Sequence, residues 1–274
     1  MKPYILLTND DGIYSPGLCA LAEALIDIAD LCIAAPIHQQ TGMGRSFPRV
    51  PDNGIIKQIP FKLNNQTIPA FGIHGSPAFV VAHAMLECVE RKPDLCISGI
   101  NYGENLGLSL TCSGTVGAAF EANSHGVHAI AFSKMFDLSK QHNEQLEELD
   151  WDKDRMIIRR IVQTILQNGF KPDICMYNVN LPKVIDDHTR IKMTKQSRMN
   201  YSEFDKVCKR NFNNPYHLTS TISPSFTHLD KNTDIYTVVI DQNISVTPIR
   251  WDISIEDNID FKQLNHTKTD HFQE

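Results

Sequence analysis

Tyr4-Ile5-Leu6-Leu7-Thr8-Asn9-Asp10-Asp11-Gly12 is the stretch that decides how this chain folds. An apolar run with the character of a buried strand stops abruptly at two adjacent carboxylates, and a glycine follows. In an open α/β sheet, ligands bind outside the carboxyl ends of the strands. Two acids placed there are costly unless something positive sits between them. The first question is therefore what that positive group is.

Downstream, Leu18, Leu21, Ala22 and Leu25 repeat at helical spacing. Leu31-Cys32-Ile33-Ala34-Ala35 is a second buried strand, stopped by Pro36. Strand, helix and strand in that order imply parallel pairing through a right-handed crossover. The loop 38–46 leaves the carboxyl end of strand two, so it shares an edge with Asp10 and Asp11. Residues 47–73 alternate short extended pieces with Pro51, Gly54, Pro60 and Asn64-Asn65, which predicts a hairpin-rich insertion. Gly75-Ser76-Pro77 starts a helix, with Ser76 as N-cap. A strand over 95–98 leads into a glycine-rich loop, 99–114, and then a helix carrying Val116, Ala119 and Phe120. Residues 129–133 form another strand, and 137–154 read as a polar linker. Ile158, Ile161, Val162 and Ile165 mark a helix that ends at Gly169, before a strand over 175–180.

The alternation predicts an α/β fold with a mostly parallel sheet and helices on both faces. Residues 1–182 are expected to be the catalytic core. Beyond Pro182 the helical periods stop. A strand is expected over 190–194, and 234–240 and 244–249 flank Asp241-Gln242-Asn243 as a hairpin. The region 183–255 is too extended for a core of its own and is expected to pack on the main body or on another subunit. Residues 256–274 read as a polar tail.

Composition narrows the function. The 274 residues are 42% apolar and 21% charged, as in globular proteins generally. A net charge of −6 argues against non-specific binding of a nucleic-acid duplex, which needs a basic face. A small anionic substrate is compatible if a metal or a helix N-terminus supplies local positive charge. The seven cysteines are odd in number and none forms a C-x-x-C pair, which reads as reduced thiols in a cytoplasmic protein. The opening residues carry no signal-peptide pattern, and no apolar run reaches the length of a membrane span.

Three elements carry chemistry. Asp10 and Asp11 both offer oxygens suited to a hard cation such as Mg2+, Mn2+ or Ca2+; helix-dipole capping is the plainer explanation for a single acid there. In 98–107, Asn101 and Asn105 carry amides able to complete a metal shell or to hold an oxyanion; the plainer explanation is turn chemistry. Ser113-Gly114-Thr115 stands where that loop meets a helix, and free amides at a helix N-terminus suit a phosphate. Converging on one sheet edge, the three suit metal-assisted hydrolysis of a phosphate ester. His125-x-x-His128 lacks a third ligand nearby and is read as structural, and Arg159-Arg160 as solvated. Gly12 and Gly17 do not make a dinucleotide fingerprint.

At these residues the sequence resembles the SurE survival-protein family of metal-dependent nucleoside monophosphate phosphatases. The matching pieces are Leu6-Leu7-Thr8-Asn9-Asp10-Asp11-Gly12, then Lys92-Pro93-Asp94 running to Ser98-Gly99-Ile100-Asn101, then Asn105-Leu106-Gly107 and Ser113-Gly114-Thr115-Val116. Gly75-Ser76-Pro77, Asn178-Val179-Asn180-Leu181-Pro182, Thr233-Asp234 and Val246-Thr247-Pro248 match more weakly, in the family's order. The resemblance implies that Asp10, Asp11 and Asn101 ligate one divalent metal per subunit, Mg2+ or Mn2+. Thr41 stands where the family has a fourth ligand, a serine. Asn105, Ser113, Gly114 and Thr115 map onto its phosphate contacts. Departures are Leu108-Ser109, where acids are common, Cys112, where Tyr is common, and Ala78, where Asp is common. The resemblance also implies a homodimer or homotetramer built by exchange of C-terminal elements.

The expected activity is that of a 5′-nucleotidase, with 3′-nucleotides as further substrates. Asp10 and Asp11 are the candidate catalytic residues, and the residues leave open whether either is nucleophile, base or ligand alone. A haloacid dehalogenase type is rejected because its acid partner would fall on Gly12. A receiver-like signalling module needs a phosphorylatable Asp at the end of a later strand, and Asp94 precedes its strand. The receiver-like module, which stable aspartyl phosphate without turnover would favour, and an inactive member of the family are the alternatives kept.

Overall fold

The computed structural model describes residues 2–136, 149–207, 209–222 and 229–254. The first strand, β1 (Tyr4–Thr8), is buried along its whole length. Its odd residues, Ile5 and Leu7, pack to one face and Tyr4 and Leu6 to the other, as the pleat requires. Helix α1 (Pro16–Leu25) follows and buries Leu18, Leu21, Ala22 and Leu25, the set read from the sequence. Then come β2 (Asp30–Pro36), β3 (Ile56–Gln58), β4 (Phe61–Leu63), β5 (Gln66–Ile68) and β6 (Ala70–Ile73). Helix α2 (Pro77–His83) is capped by Ser76, whose hydroxyl accepts from Phe79 N. The rest of the core is β7 (Leu95–Tyr102), α3 (Gly114–Ser124), β8 (Ala129–Lys134), α4 (Asp152–Asn168) and β9 (Met176–Leu181). The C-terminal part adds β10 (Ile191–Met193), β11 (Ser202–Phe204), β12 (Ser220–Ile222) and β13 (Ile244–Ile249); β10 pairs with β13, and β11 with β12.

Nine strands form one sheet in the order β10-β13-β9-β8-β7-β1-β2-β6-β3. Pairing is parallel except for β13 against β9 and β3 against β6. One apolar layer joins α1 and α4 to the Ile5 face; the other joins α2 and α3 to the Leu6 face. From β1 the chain first moves outward to β2, then returns to β7 on the opposite side. The topological switch point is therefore between β1 and β7, where a doubly wound sheet opens a crevice for ligands.

Four expectations need correcting. Within the predicted insertion, Asn64 and Asn65 do turn a hairpin, β4–β5, with positive φ of 47° and 61°. However, β6 belongs to the main sheet, parallel to β2. The strand after Pro93 does not stop at Ser98: a bulge between Ser98 and Asn101 carries β7 on to Tyr102. Its last residue is Tyr102, so the aspartate that the receiver-like alternative needs at the end of a later strand is not found on β7. The polar linker ends earlier than its composition suggests, because Asp152 already opens α4; residues 137–148 lie outside the described part. Finally, 234–240 is no strand. Tyr236–Ile240 is a wide helical turn, and only Ile244–Ile249 forms the expected strand. Ile235 and Val238, three residues apart, face a small cluster with Leu106 and Tyr201.

Among the described residues no helix is long and apolar enough to cross a membrane. Cys19, Cys32, Cys88, Cys96, Cys112 and Cys175 are free thiols; Cys208 and the tail 256–274 lie outside the described residues.

Candidate active site

Asp10 and Asp11 emerge from β1 at the switch point. Asn9 shapes the turn: its Oδ1 accepts from Gly12 N at 3.2 Å and its Nδ2 donates to Gly12 O at 3.0 Å. Gly12, at φ 103°, takes a backbone conformation that a side chain would disfavour. The two carboxylates are only 4% and 8% exposed. Burial pushes the pKa of both upward, and Asp11 is raised further by the charge of Asp10.

The groups around them are neutral. Thr115 Oγ1 donates to Asp10 Oδ1 at 2.5 Å. Tyr102 N donates to Asp11 Oδ2 at 3.2 Å, and Gln39 Nε2 to Asp11 Oδ1 at 3.1 Å. Among the described residues no lysine or arginine pairs with either acid. A buried like-charge pair with only neutral donors is a strong electrostatic demand for a cation.

Of the other predicted residues, Thr115 and Gly114 touch this pair directly, whereas Asn101 and Thr41 are next in sequence to residues bonded to it. Tyr102 N, bonded to Asp11, fixes Asn101 beside it on β7. Asn101 spends its amide nitrogen on Gly103 O at 2.6 Å, which leaves its Oδ1 as the free acceptor. Gln40 N donates to Asp10 O at 2.7 Å, so Thr41 stands one residue from that anchor, exposed. Helix α3 begins against Asp10: a Cβ added to Gly114 would lie 2.8 Å from Asp10 Oδ2. Ser113 caps the helix by accepting from Val116 N at 3.2 Å.

Asp10, Asp11, Asn101 and Thr41 together offer two carboxylates, an amide oxygen and a hydroxyl. That all-oxygen set fits a hard divalent cation such as Mg2+ or Mn2+. Among the described residues no three His, Cys, Asp or Glu cluster as ligands, so a softer site has no support. His125 instead meets Glu121 at 3.1 Å, and His128 stacks on Phe170. Arg159 pairs with Asp27 at the surface.

Several participants escaped the sequence reading. The bond between the buried hydroxyl of Thr115 and Asp10 is one, a role beside that of phosphate contact. Gln39, in the loop after β2, reaches Asp11. Asn105 is gripped by Asn178, Asn180 and Ser133. Asp234 is fully buried and accepts from Gly107 N, Ser197 N and Ile235 N, tying the loop after β7 to the C-terminal part. The alternation of Asn178 and Asn180 inside an apolar strand was the available signal, since residues two apart share a face.

Paired buried acids at the switch point of a doubly wound sheet, beside a helix N-terminus, mark this as an α/β protein with its candidate site at the carboxyl ends of the strands. The comparison with known proteins agrees in fold and is more specific. The family model described as Survival protein SurE matches residues 5–203, and the chain belongs to that family. A relative from Thermococcus gammatolerans, named 5'-nucleotidase SurE, is 33% identical over 267 residues, covering 96% of this chain and 94% of its own. One of the same name from Christiangramia forsetii is 33% identical, covering 92% and 93%. The crystal structure of the SurE protein from Aquifex aeolicus superposes with a TM-score of 0.72 at 28% identity, covering 92% of this chain and 95% of that one.

Proposed function

We propose that this chain is a 5′-nucleotidase that hydrolyses nucleoside monophosphates to nucleoside and inorganic phosphate, with 3′-nucleotides as further substrates. One Mg2+ or Mn2+ per subunit is held by Asp10, Asp11, Asn101 and Thr41. The observation that carries the reading is the buried Asp10–Asp11 pair, met only by neutral donors and touching the start of α3. The names of the relatives from Thermococcus gammatolerans and Christiangramia forsetii support the substrate class.

The bound cation would supply Lewis-acid chemistry toward a phosphoryl oxygen. The chain's own residues do the rest. Thr115, Tyr102 and Gln39 fix the orientation of the two carboxylates through the bonds described above. The N-terminus of α3 attracts the phosphoryl group: the Ser113 hydroxyl proton and the Gly114 N–H are its donors there, and Asn105 adds a side-chain amide. Thr115 lines the same end while steadying Asp10. Burial of the acids keeps bulk water from competing for them. The exposed β11–β12 hairpin supports a homodimer or homotetramer, and the free thiols support a cytoplasmic protein.

The test is phosphate release from a panel of 5′- and 3′-nucleoside monophosphates with Mn2+, Mg2+ or EDTA. EDTA should abolish turnover and Mn2+ or Mg2+ restore it. Asp10→Ala and Asp11→Ala should each lose about a thousandfold in kcat/KM. Full activity in both variants would sink the reading.

A further inference from the structure

Asn105 is a site residue without a regular element beneath it. It follows β7 in open chain, before the short turn Gly107–Thr111. A loop side chain binds well only if its backbone is held in advance. Here the holding groups come from the sheet. Asn180, on β9, takes both backbone groups of Asn105: its Oδ1 accepts from Asn105 N at 2.8 Å and its Nδ2 donates to Asn105 O at 3.1 Å. One side-chain amide thus imitates the pairing of a neighbouring strand. Backbone donors and acceptors are unambiguous, so they fix which end of the Asn180 amide is which. Asn178 Nδ2 adds a second bond to Asn105 O at 2.9 Å.

The side chain of Asn105 is oriented separately. Its Nδ2 donates to Ser133 Oγ, on β8, at 2.7 Å. One of the two amide hydrogens is used there, and the other is left for a ligand. Ser133 and Asn180 are direct register partners across β8 and β9, and Asn178 lies two residues back on the same face. All three are fully buried. Aliphatic residues would pack such a face at less cost, since each buried amide must be bonded to be tolerated. The polar strip runs on to β13, where Ser245 and Thr247 meet Thr194; its part on β8 and β9 is the part that grips the loop residue Asn105.

We propose that Asn180 is a positioning residue for Asn105, with Ser133 setting the Asn105 amide, so that affinity for the phosphoryl group depends on strands that never touch the ligand. This rests on the reading of Asn105 as a phosphate contact. It is tested on the full chain loaded with Mn2+, comparing Asn180→Ala, Asn105→Ala and the double variant. The readouts are KM and kcat for a nucleoside monophosphate, inhibition by inorganic phosphate, Mn2+ affinity, and hydrogen exchange of the segment 103–108.

Asn180→Ala should raise KM and the inhibition constant of phosphate together, by about tenfold. It should speed exchange in 103–108 and leave Mn2+ affinity unchanged. In the Asn105→Ala background it should add no further loss of phosphate affinity. Equal losses in both backgrounds overturn the proposal, because a structural residue would act whether or not Asn105 keeps its amide. Faster exchange with unaltered inhibition by phosphate also overturns it, leaving Asn180 as a loop anchor alone. Should Asn180→Ala fail to fold, Ser133→Ala, which removes one atom, carries the same prediction of loss in wild type and none beyond Asn105→Ala. A wild-type protein that neither releases nor binds phosphate would bring down the nucleotidase reading itself, and this proposal with it.

Discussion

The hydroxyl of Thr115 is fully buried, and its bond to Asp10 Oδ1 is the shortest contact made by either acid. A donor on a ligating carboxylate fixes which oxygen stays free for a cation. Thr115→Val keeps the shape and removes the donor, so kcat/KM and Mn2+ affinity should each fall by about ten- to a hundredfold. Thr115→Ser should recover most of both. Asp11 permits a test that needs no turnover. Its pKa is raised by burial and then by Asp10, so its charge is unfavourable when no cation is bound. Asp11→Asn should therefore raise the melting temperature of EDTA-treated protein. Mn2+ at about a hundred times its Kd should stabilise wild type by about 2.7 kcal/mol, and Asp11→Asn should lose most of that gain. Thermal melts with and without Mn2+ read both effects. The acids themselves were legible, because a charge pair ending an apolar strand is an anomaly within a few residues. The partners of Asp10 and Asp11 were not: Thr115 is 105 residues from Asp10 and Gln39 is 28 from Asp11.

Among the elements, α3 has an exacting seat. It starts against Asp10 at Gly114 and presses on the loop after β2 at Gly117. A Cβ on Gly117 would come within 2.3 Å of Gly44 O, a rigid backbone atom. Gly117→Ala must push the helix and the loop apart and should cost about 2 kcal/mol of stability, read by chemical denaturation. A Cβ on Gly114 would lie 2.8 Å from both Asp10 Cβ, which the backbone fixes, and Asp10 Oδ2. Gly114→Ala should thus lower stability as Gly117→Ala does, and lower activity as well, since the residue it displaces is Asp10. Helix faces such as Leu18, Leu21, Ala22 and Leu25 were legible because period alone identifies them. Gly117 carried no local mark, since its need is a neighbour that arrives from another strand's loop. The segment 234–240 misled for a related reason. Ile235-Tyr236-Thr237-Val238-Val239-Ile240 is rich in strand-favouring residues. Its burial against Leu106 and Tyr201, and the three amides gathered by Asp234, select a helical turn instead.

On the scale of the whole molecule, β11 and β12 stand apart. They pair only with each other, and Phe204 and Phe212 in this arm are 72% and 86% exposed. Tyr216, Leu218 and Ile222 are exposed as well. A lone two-stranded hairpin is marginal in water, and this one carries enough apolar surface to need a cover. A second copy of the chain is the cover proposed above. The root of the arm is tied to the site: Tyr201 packs with Leu106, Leu108 N donates to Met199 O at 3.1 Å, and Gln196 Nε2 donates to Gly107 O at 2.8 Å. Self-association should therefore hold the loop that carries Asn105. In light scattering after gel filtration, wild type should run as a dimer or tetramer, and Phe204→Asp with Phe212→Asp should run as a monomer. The monomer should bind phosphate more weakly while keeping its Mn2+ affinity, because Asp10 and Asp11 follow β1 and among the described residues their hydrogen-bond partners lie outside the arm. Wild-type activity per subunit should then fall on dilution through the dissociation range, as expected when association stabilises the active form. A wild type that is monomeric and equally active at every concentration would separate the arm from the site.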